Sequence, residues 1–182
     1  MVEKMQEATR YTIFKTKWGY FGLVGTEYGL LRTCLPGPEL GKIKSQLLEN
    51  LCAARYDKAL FKVLRERITA YFDGAYVNFD KDIPIITDGL SFFAMQVLDT
   101  CRDIKFGETI NYAGLAKEIG RAGAARAVAG ALAKNPLPLI VPCHRVVRSD
   151  GEIGGFSAAG GITLKKRMLL HEQQAAKNFK SS

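Results

Sequence analysis

Histidine is scarce in this sequence: there are two in 182 residues, His144 and His171, and none before position 144. The four cysteines, Cys34, Cys52, Cys101 and Cys143, include no Cys-x-x-Cys pair. Scattered thiols suit a reducing compartment better than a disulfide framework. The first half offers only Cys34 and Cys52 as soft ligands, too few for a four-coordinate zinc site, so neither a metal nor another cofactor is expected. The opening stretch, Met1 to Arg10, is polar and lacks an apolar h-region, and no apolar run reaches membrane-spanning length. These absences lead to the expectation of a cytoplasmic protein with no membrane partner.

What the chain does have is positive charge and a core. Lys and Arg exceed Asp and Glu by 26 to 18, giving +8 and a pI near 9.4, and 47% of residues are hydrophobic. The hydrophobic content supports a sizeable packed core in one large domain or two small ones. The charge fits a polyanionic partner, nucleic acid being the commonest.

The first half reads as a small α+β unit. Tyr11 to Lys15, Tyr20 to Val24 and Gly29 to Cys34 are short aromatic and aliphatic runs separated by turn residues, the pattern of a three-stranded antiparallel meander. Helices are expected over Glu39 to Leu51 and Lys58 to Phe72. In the second, Leu60, Val63, Leu64, Ile68, Tyr71 and Phe72 form one apolar face. Cys34 and Cys52 have no histidine or acidic cluster in the neighbouring sequence and read as structural filler. Between Asp73-Gly74 and Asp88-Gly89 turn formers and carboxylates replace helical periodicity, which places a boundary between domains 1–85 and 86–182.

The second half reads as mostly helical. Leu90, Phe93, Ala94, Val97, Leu98 and Cys101 fall at helical spacing, so Leu90 to Asp103 is an amphipathic helix with Cys101 in its core stripe. Asn111 caps a helix from Tyr112 to Ile119, Gly120 ends it, and another helix runs over Ala124 to Lys134, a helix-turn-helix arrangement. Nearly every side chain of that last helix is small, with Arg126 the lone long cation. A slim helix allows close approach to another surface, and its arginine can enter a base stack.

Chemistry concentrates after it. Leu137 to Val141 reads as a short buried strand delivering Cys143, which is followed by His144 and Arg145; cationic and proton-accepting neighbours favour the nucleophilic thiolate. A glycine-rich loop around Phe156 and Ser157 follows. The last helix, Ile162 to Gln174, has Leu164 and Met168 inward and gains positive charge from Lys165, Lys166 and Arg167. Glu172 shares the apolar side of that helix, where an unpaired carboxylate is costly, so His144 is its expected partner in a thiol-imidazole-carboxylate relay, with Asn135 ordering the turn that carries Cys143.

The run Asn135-Pro136, Pro142-Cys143-His144-Arg145-Val146, Gly154-Gly155-Phe156 and Leu170-His171-Glu172 resembles the methylated-DNA-protein-cysteine S-methyltransferases, the O(6)-alkylguanine DNA repair family. The likeness is strong from Gly89 to Glu172. It implies single-turnover transfer of an alkyl group from O(6)-alkylguanine, and from O(4)-alkylthymine, to Cys143, with His144, Glu172 and Asn135 as the other catalytic positions. It further implies a monomer that docks double-stranded DNA through the minor groove, with Arg126, Tyr112, Ala125 and Arg145 at the DNA. The flipped base would be held by Tyr112, Val146, Phe156, Ser157 and Ala159. The loop beyond Phe156 is about two residues longer than the shortest family versions, leaving the N–H of Ser157, Ala158 or Ala159 as the donor to the guanine oxygen. The first domain would be a scaffold. Two other functions compete: a non-enzymatic lesion-binding protein, which the presence of Cys143 argues against, and a cysteine hydrolase, which leaves the small-residue helix and the positive charge unexplained.

Overall fold

The computed structural model describes residues 9–79 and 81–181. It is an α+β chain of two compact units, one made of Met1–Val77 with Lys81–Ile86, the other of Asn78–Asp80 with Thr87–Ser182. No helix among the described residues is long and apolar enough to cross a membrane.

In the first unit the expected meander is present as β1 (Arg10–Thr16), β2 (Gly19–Thr26) and β3 (Gly29–Gly37), paired antiparallel in that order. Gly19, at φ +129, turns the first hairpin, and a Cβ there would lie 2.4 Å from the Gly37 carbonyl oxygen. A fourth strand, β4 (Arg55–Tyr56), joins the free edge of β1 in parallel. Two residues carry too little periodicity to announce it. Helix α1 (Leu40–Leu47) is shorter than the expected Glu39 to Leu51, because the chain leaves helical geometry at Leu48 and Asn50 takes φ +62. Helix α2 (Lys62–Asp73) starts later than Lys58, since Phe61 stands in the left-handed region just before it. Its Leu64, Ile68, Tyr71 and Phe72 are buried as the spacing predicts, but Val63 is 69% exposed and does not belong to the apolar face. Phe72 anchors an aromatic cluster, with ring centroids 5.2 Å from Trp18, 5.9 Å from Phe21 and 4.9 Å from Tyr71. Such contacts add to area burial about 0.5–1.5 kcal/mol per pair.

The second unit opens with α3 (Phe92–Cys101), whose N-cap Ser91 accepts a hydrogen bond from the Ala94 N–H; Val97, Leu98 and Cys101 are its buried stripe. Asn111 caps α4 (Tyr112–Glu118) by accepting from the Gly114 N–H at 2.7 Å. A turn through Gly120 (φ +70) and Gly123 (φ +90) leads to α5 (Ala125–Ala133), which buries Val128 and Leu132. Two residues on either side of the site pair in parallel: β5 (Ile110–Asn111) with β6 (Val146–Val147). The last helix, α6 (Gly161–Lys180), continues beyond the expected Gln174, and its buried side chains are Lys165, Met168, Glu172 and Ala175.

The segment 137–141 is not a strand. It forms a buried turn, closed by Val141 N–H donating to Leu137 O at 2.8 Å and by a lone bridge between Pro138 and Val141. Pro138 cannot donate to a sheet ladder. Asn135 also offers the backbone a better arrangement: its amide nitrogen donates to Val141 O at 3.0 Å and its oxygen accepts from Leu137 N–H at 2.9 Å. Leu139 takes φ +80 within this turn, an unfavourable geometry held in place by complete burial of Leu137, Leu139, Ile140 and Val141.

Candidate active site around Cys143

The buried turn delivers Cys143 to a 3-10 turn, Cys143–Arg145, tied down by the Arg145 N–H donating to Pro142 O at 2.8 Å. The Asn135 side-chain amide that holds the turn also lies 3.1 Å from Cys143 Sγ. One asparagine therefore sets the backbone and stabilises charge on the sulfur. Burial pushes the Cys143 thiol up, while the Asn135 hydrogen bond and the nearby Lys165 charge pull it down.

Sγ lines the wall of a cleft of about 840 Å³. Tyr112 from α4, Ala129, Leu132 and Ala133 from α5, and Phe156 and Ser157 from the glycine-rich loop line the same cleft. Ser157 Oγ donates to Ala133 O at 2.8 Å, so the loop is fastened to the last turn of α5. Gly154 sits under Tyr112, where a Cβ would come within 3.2 Å of the phenol oxygen.

Behind the thiol lies an ionic cluster with no solvent exposure at His144 or Glu172. His144 Nε2 is 2.7 Å from Glu172 Oε1. A carboxylate can only accept, so Nε2 carries the proton and Nδ1 presents a lone pair. Burial lowers the His144 pKa although Glu172 opposes it, which keeps the imidazole neutral. The Glu172 carboxylate also accepts from Arg145 Nε at 2.9 Å, Arg145 Nη2 at 3.1 Å and the Gly107 N–H at 3.1 Å. Burial alone would raise its pKa; His144 and Arg145 overcome that and hold it well below the ordinary carboxylate range.

Of the expected positions, Cys143, Tyr112, Phe156 and Ser157 line one cleft, Asn135 holds the Cys143 sulfur, and His144 and Glu172 meet behind it. No hydrogen bond links Sγ to the imidazole, and Nδ1 has no partner among the described residues. Val146 is fully buried in β6 and Ala159 is exposed in the loop; neither is on the cleft wall. Ala125 is half-buried and Arg126 exposed at the start of α5. Arg145, expected at the DNA, requires correction: it is 4% exposed, its guanidinium is clamped on Glu172 and the Ile104 carbonyl, and it lies over the Phe106 ring. Its role is to neutralise a buried carboxylate.

Comparison with known proteins decides the family. The 6-O-methylguanine DNA methyltransferase DNA-binding domain matches residues 92–174. A methylated-DNA-protein-cysteine methyltransferase of Methanosarcina acetivorans is 32% identical over 163 residues, 89% of this chain and 97% of the relative. The chain belongs to the methylated-DNA-protein-cysteine methyltransferase family. A Methanothermobacter thermautotrophicus relative is 43% identical and a rat relative 51%, over stretches that span 60% and 38% of their lengths. The crystal structure of Mycobacterium tuberculosis OGT in complex with DNA is similar at a TM-score of 0.74 and 28% identity, covering 91% of this chain and 94% of that one.

Within this methyltransferase fold the sequence reading misplaced one further residue. Lys165 is fully buried and is no part of a charged surface. Its Nζ donates to Val146 O at 2.6 Å and faces the rings of Tyr112 and Phe156 at 5.8 and 6.0 Å. The signal was available: Lys165 lies three residues before Met168 and seven before Glu172, on the same helical stripe. No group of three or more metal-ligating side chains occurs among the described residues.

Proposed function

We propose that this chain repairs alkylated DNA by moving the alkyl group of O(6)-alkylguanine, and of O(4)-alkylthymine, onto Cys143. The observation that carries this reading is a sulfur held by Asn135 beside an open cleft lined by Tyr112 and Phe156, with a neutral histidine whose basicity is supported by a buried carboxylate behind it. The sulfur attacks the alkyl carbon, the S–C bond forms as the O(6)–C bond breaks, and guanine leaves after taking a proton. The thiol proton passes to the His144 Nδ1 lone pair through a bridging water, because the two groups share no direct hydrogen bond.

Docking uses α4 and α5 as a helix-turn-helix against the minor groove of double-stranded DNA. The small residues of α5 permit close approach, and exposed Arg126 fills the place of the extruded base, which then enters the cleft beside Tyr112, Phe156 and Ser157. Contacts near Arg126 and Ala125 to the backbone carry little sequence information, as suits damage at any site. Domain 86–182 performs this chemistry, domain 1–85 acts as scaffold, and the chain works as a monomer.

A thioether has no good leaving group, so each molecule reacts once. Incubation with an oligonucleotide containing O(6)-methylguanine, followed by intact-mass and peptide analysis, is expected to show a plateau at one methyl per chain, on Cys143. Binding without transfer would favour the lesion-binding reading. Repeated turnover would favour a cysteine hydrolase, and transfer surviving Cys143→Ala would refute Cys143 as the acceptor in either reading.

A further inference from the structure

The first unit carries its own share of the charge. Residues 1–77 and 81–86 hold 13 Lys and Arg against 9 Asp and Glu, half of the +8 of the whole chain. Packing alone does not call for that excess, and part of it is gathered in one place. A cleft of about 600 Å³ lies between β1 and α2, and its wall holds Lys15, Lys58, Lys62 and Arg65 together with the Phe14 ring. Two acids, Glu66 and Asp73, share the wall. None of the four cations forms an ion pair with them or with any other carboxylate among the described residues.

Arg65 is fixed without an anion. Its Nη1 donates to the Lys58 carbonyl, its guanidinium lies 5.3 Å from the centre of the Phe14 ring, and its buried Nε has no hydrogen-bond partner among the described residues. These contacts hold the guanidinium in place and leave its charge unanswered. A guanidinium ordered in advance loses little freedom when it takes an anionic oxygen. Lys62 opens α2, a helix with no side-chain cap and no acid in its first turn. A cation at that end stands against the positive pole of the helix, and an anion there would answer both. Asp73 cannot, since it closes the same twelve-residue helix, roughly 16 Å along the axis from Lys62.

We propose that this cleft binds phosphate groups of the nucleic-acid backbone and gives the first unit a sequence-independent DNA contact of its own. Lys15, Lys58 and Lys62 are exposed, so their charges stand at a surface that a backbone can run across rather than around an enclosed small ligand. Ammonium groups and a guanidinium fork meet phosphodiester oxygens by charge-assisted hydrogen bonds, which position a duplex without reading its bases. The inference rests on the chain acting on DNA, but the site is tested on undamaged duplex, where no alkyl group is transferred.

The test measures binding of the full chain to an undamaged 20-base-pair duplex by fluorescence anisotropy between 50 and 200 mM KCl. Lys58→Gln with Lys62→Gln removes two exposed cations from the cleft. Lys42→Gln with Lys44→Gln removes the same charge from α1, off the cleft wall. Each phosphate contact adds about 0.9 to the slope of log K against log salt, so the cleft pair should flatten the slope by about 1.8 and weaken binding at 50 mM by at least about tenfold. The α1 pair should leave the slope within about 0.5 of wild type. Glu66→Gln should tighten binding, because it removes an acid from the same wall.

A second arm uses sodium tripolyphosphate in place of DNA and reads thermal melting. In chloride buffer the Lys58 and Lys62 double variant should melt at or above wild type, having lost a cation set against the helix pole. Tripolyphosphate should raise the Tm of wild type and leave that of the variant unchanged. An unchanged salt slope in the cleft pair, or equal flattening by the cleft and α1 pairs, would overturn the site. A tripolyphosphate effect beside an unchanged DNA slope would assign the cleft to a free phosphate compound and equally overturn the backbone contact. Methyl transfer from an O(6)-methylguanine duplex is scored separately: its absence in wild type, with the slope difference intact, would refute repair and leave the cleft site standing.

Discussion

Replacing Glu172 with glutamine is the sharpest probe of the buried cluster, because it keeps shape while removing charge. Four donors converge on this carboxylate: His144 Nε2 at 2.7 Å, Arg145 Nε at 2.9 Å, Arg145 Nη2 at 3.1 Å and Gly107 N–H at 3.1 Å. Glutamine supplies only one accepting oxygen and sets an NH2 group against donors. Arg145, 4% exposed, becomes an uncompensated buried cation. Breaking one side of such a pair costs about 3–5 kcal/mol. At about 2–4 °C per kcal/mol for a chain of this length, Tm should fall by roughly 10 °C. The imidazole also loses the group that supports its basicity, so alkyl transfer should slow by about 100-fold, the lower range for losing general-base assistance. Differential scanning fluorimetry gives the first number and single-turnover transfer from an O(6)-methylguanine duplex, below the new Tm, gives the second. A Tm within about 2 °C of wild type would refute the cluster as a source of stability. A normal transfer rate in a folded variant would remove His144 and Glu172 from the chemistry.

Three further outcomes follow from the same geometry. Asn135→Ala deletes the bonds to Sγ, Val141 O and Leu137 N–H together, so both Tm and the rate of Cys143 capping by iodoacetamide should fall, the latter by about tenfold for one lost hydrogen bond to developing charge; an unchanged capping rate would mean that the amide only shapes the turn. Arg126→Ala should weaken transfer from duplex DNA while sparing transfer from free benzylated guanine, and equal losses on the two substrates would contradict its gap-filling role. Acid should destabilise the fold in two stages: both folded pKa values are depressed, so the His144 contribution begins to be lost as pH falls below its unfolded 6.5 and that of Glu172 below 4.5. A pH series of thermal melts checks this, and Glu172→Gln should lack the second stage.

The fold was legible where periodicity is long. The three strands of the meander, the stripe of α3 and the Asn111 cap each follow from residue spacing or a capping side chain, and the structure contains them. Legibility failed where a few residues act by pairing rather than by period. Arg55–Tyr56 becomes a strand only because β1 offers an open edge. Leu137 to Val141 has strand composition, yet the Asn135 side chain and the missing donor of Pro138 convert it to a turn. Val63 shows a third limit: helical spacing gives a face to within one residue, and at its margin the residue is solvent-exposed.

At the site, the sequence exposed the residues but not which charge answers which. Cys143, His144 and Arg145 are adjacent in sequence; adjacency suggested that both neighbours favour the thiolate, and the family resemblance put the arginine at the DNA. A 3-10 turn separates them by about a third of a turn each. In the folded chain both His144 and Arg145 point to Glu172, and the buried Lys165 of α6 donates instead to the Val146 carbonyl. The rule that would have found this is electrostatic. Glu172 and Lys165 lie on one buried stripe of α6 seven residues apart, and each must be neutralised where it lies. The carboxylate takes both His144 and Arg145 of the turn, and the lysine is met by the Val146 and Gly155 carbonyls. Two buried charges of opposite sign on one helix, one answered from the 3-10 turn and the other by the carbonyl that follows it, therefore fix the orientation of that turn. A substitution at either end of the stripe should disturb Cys143 even though neither residue adjoins it in sequence.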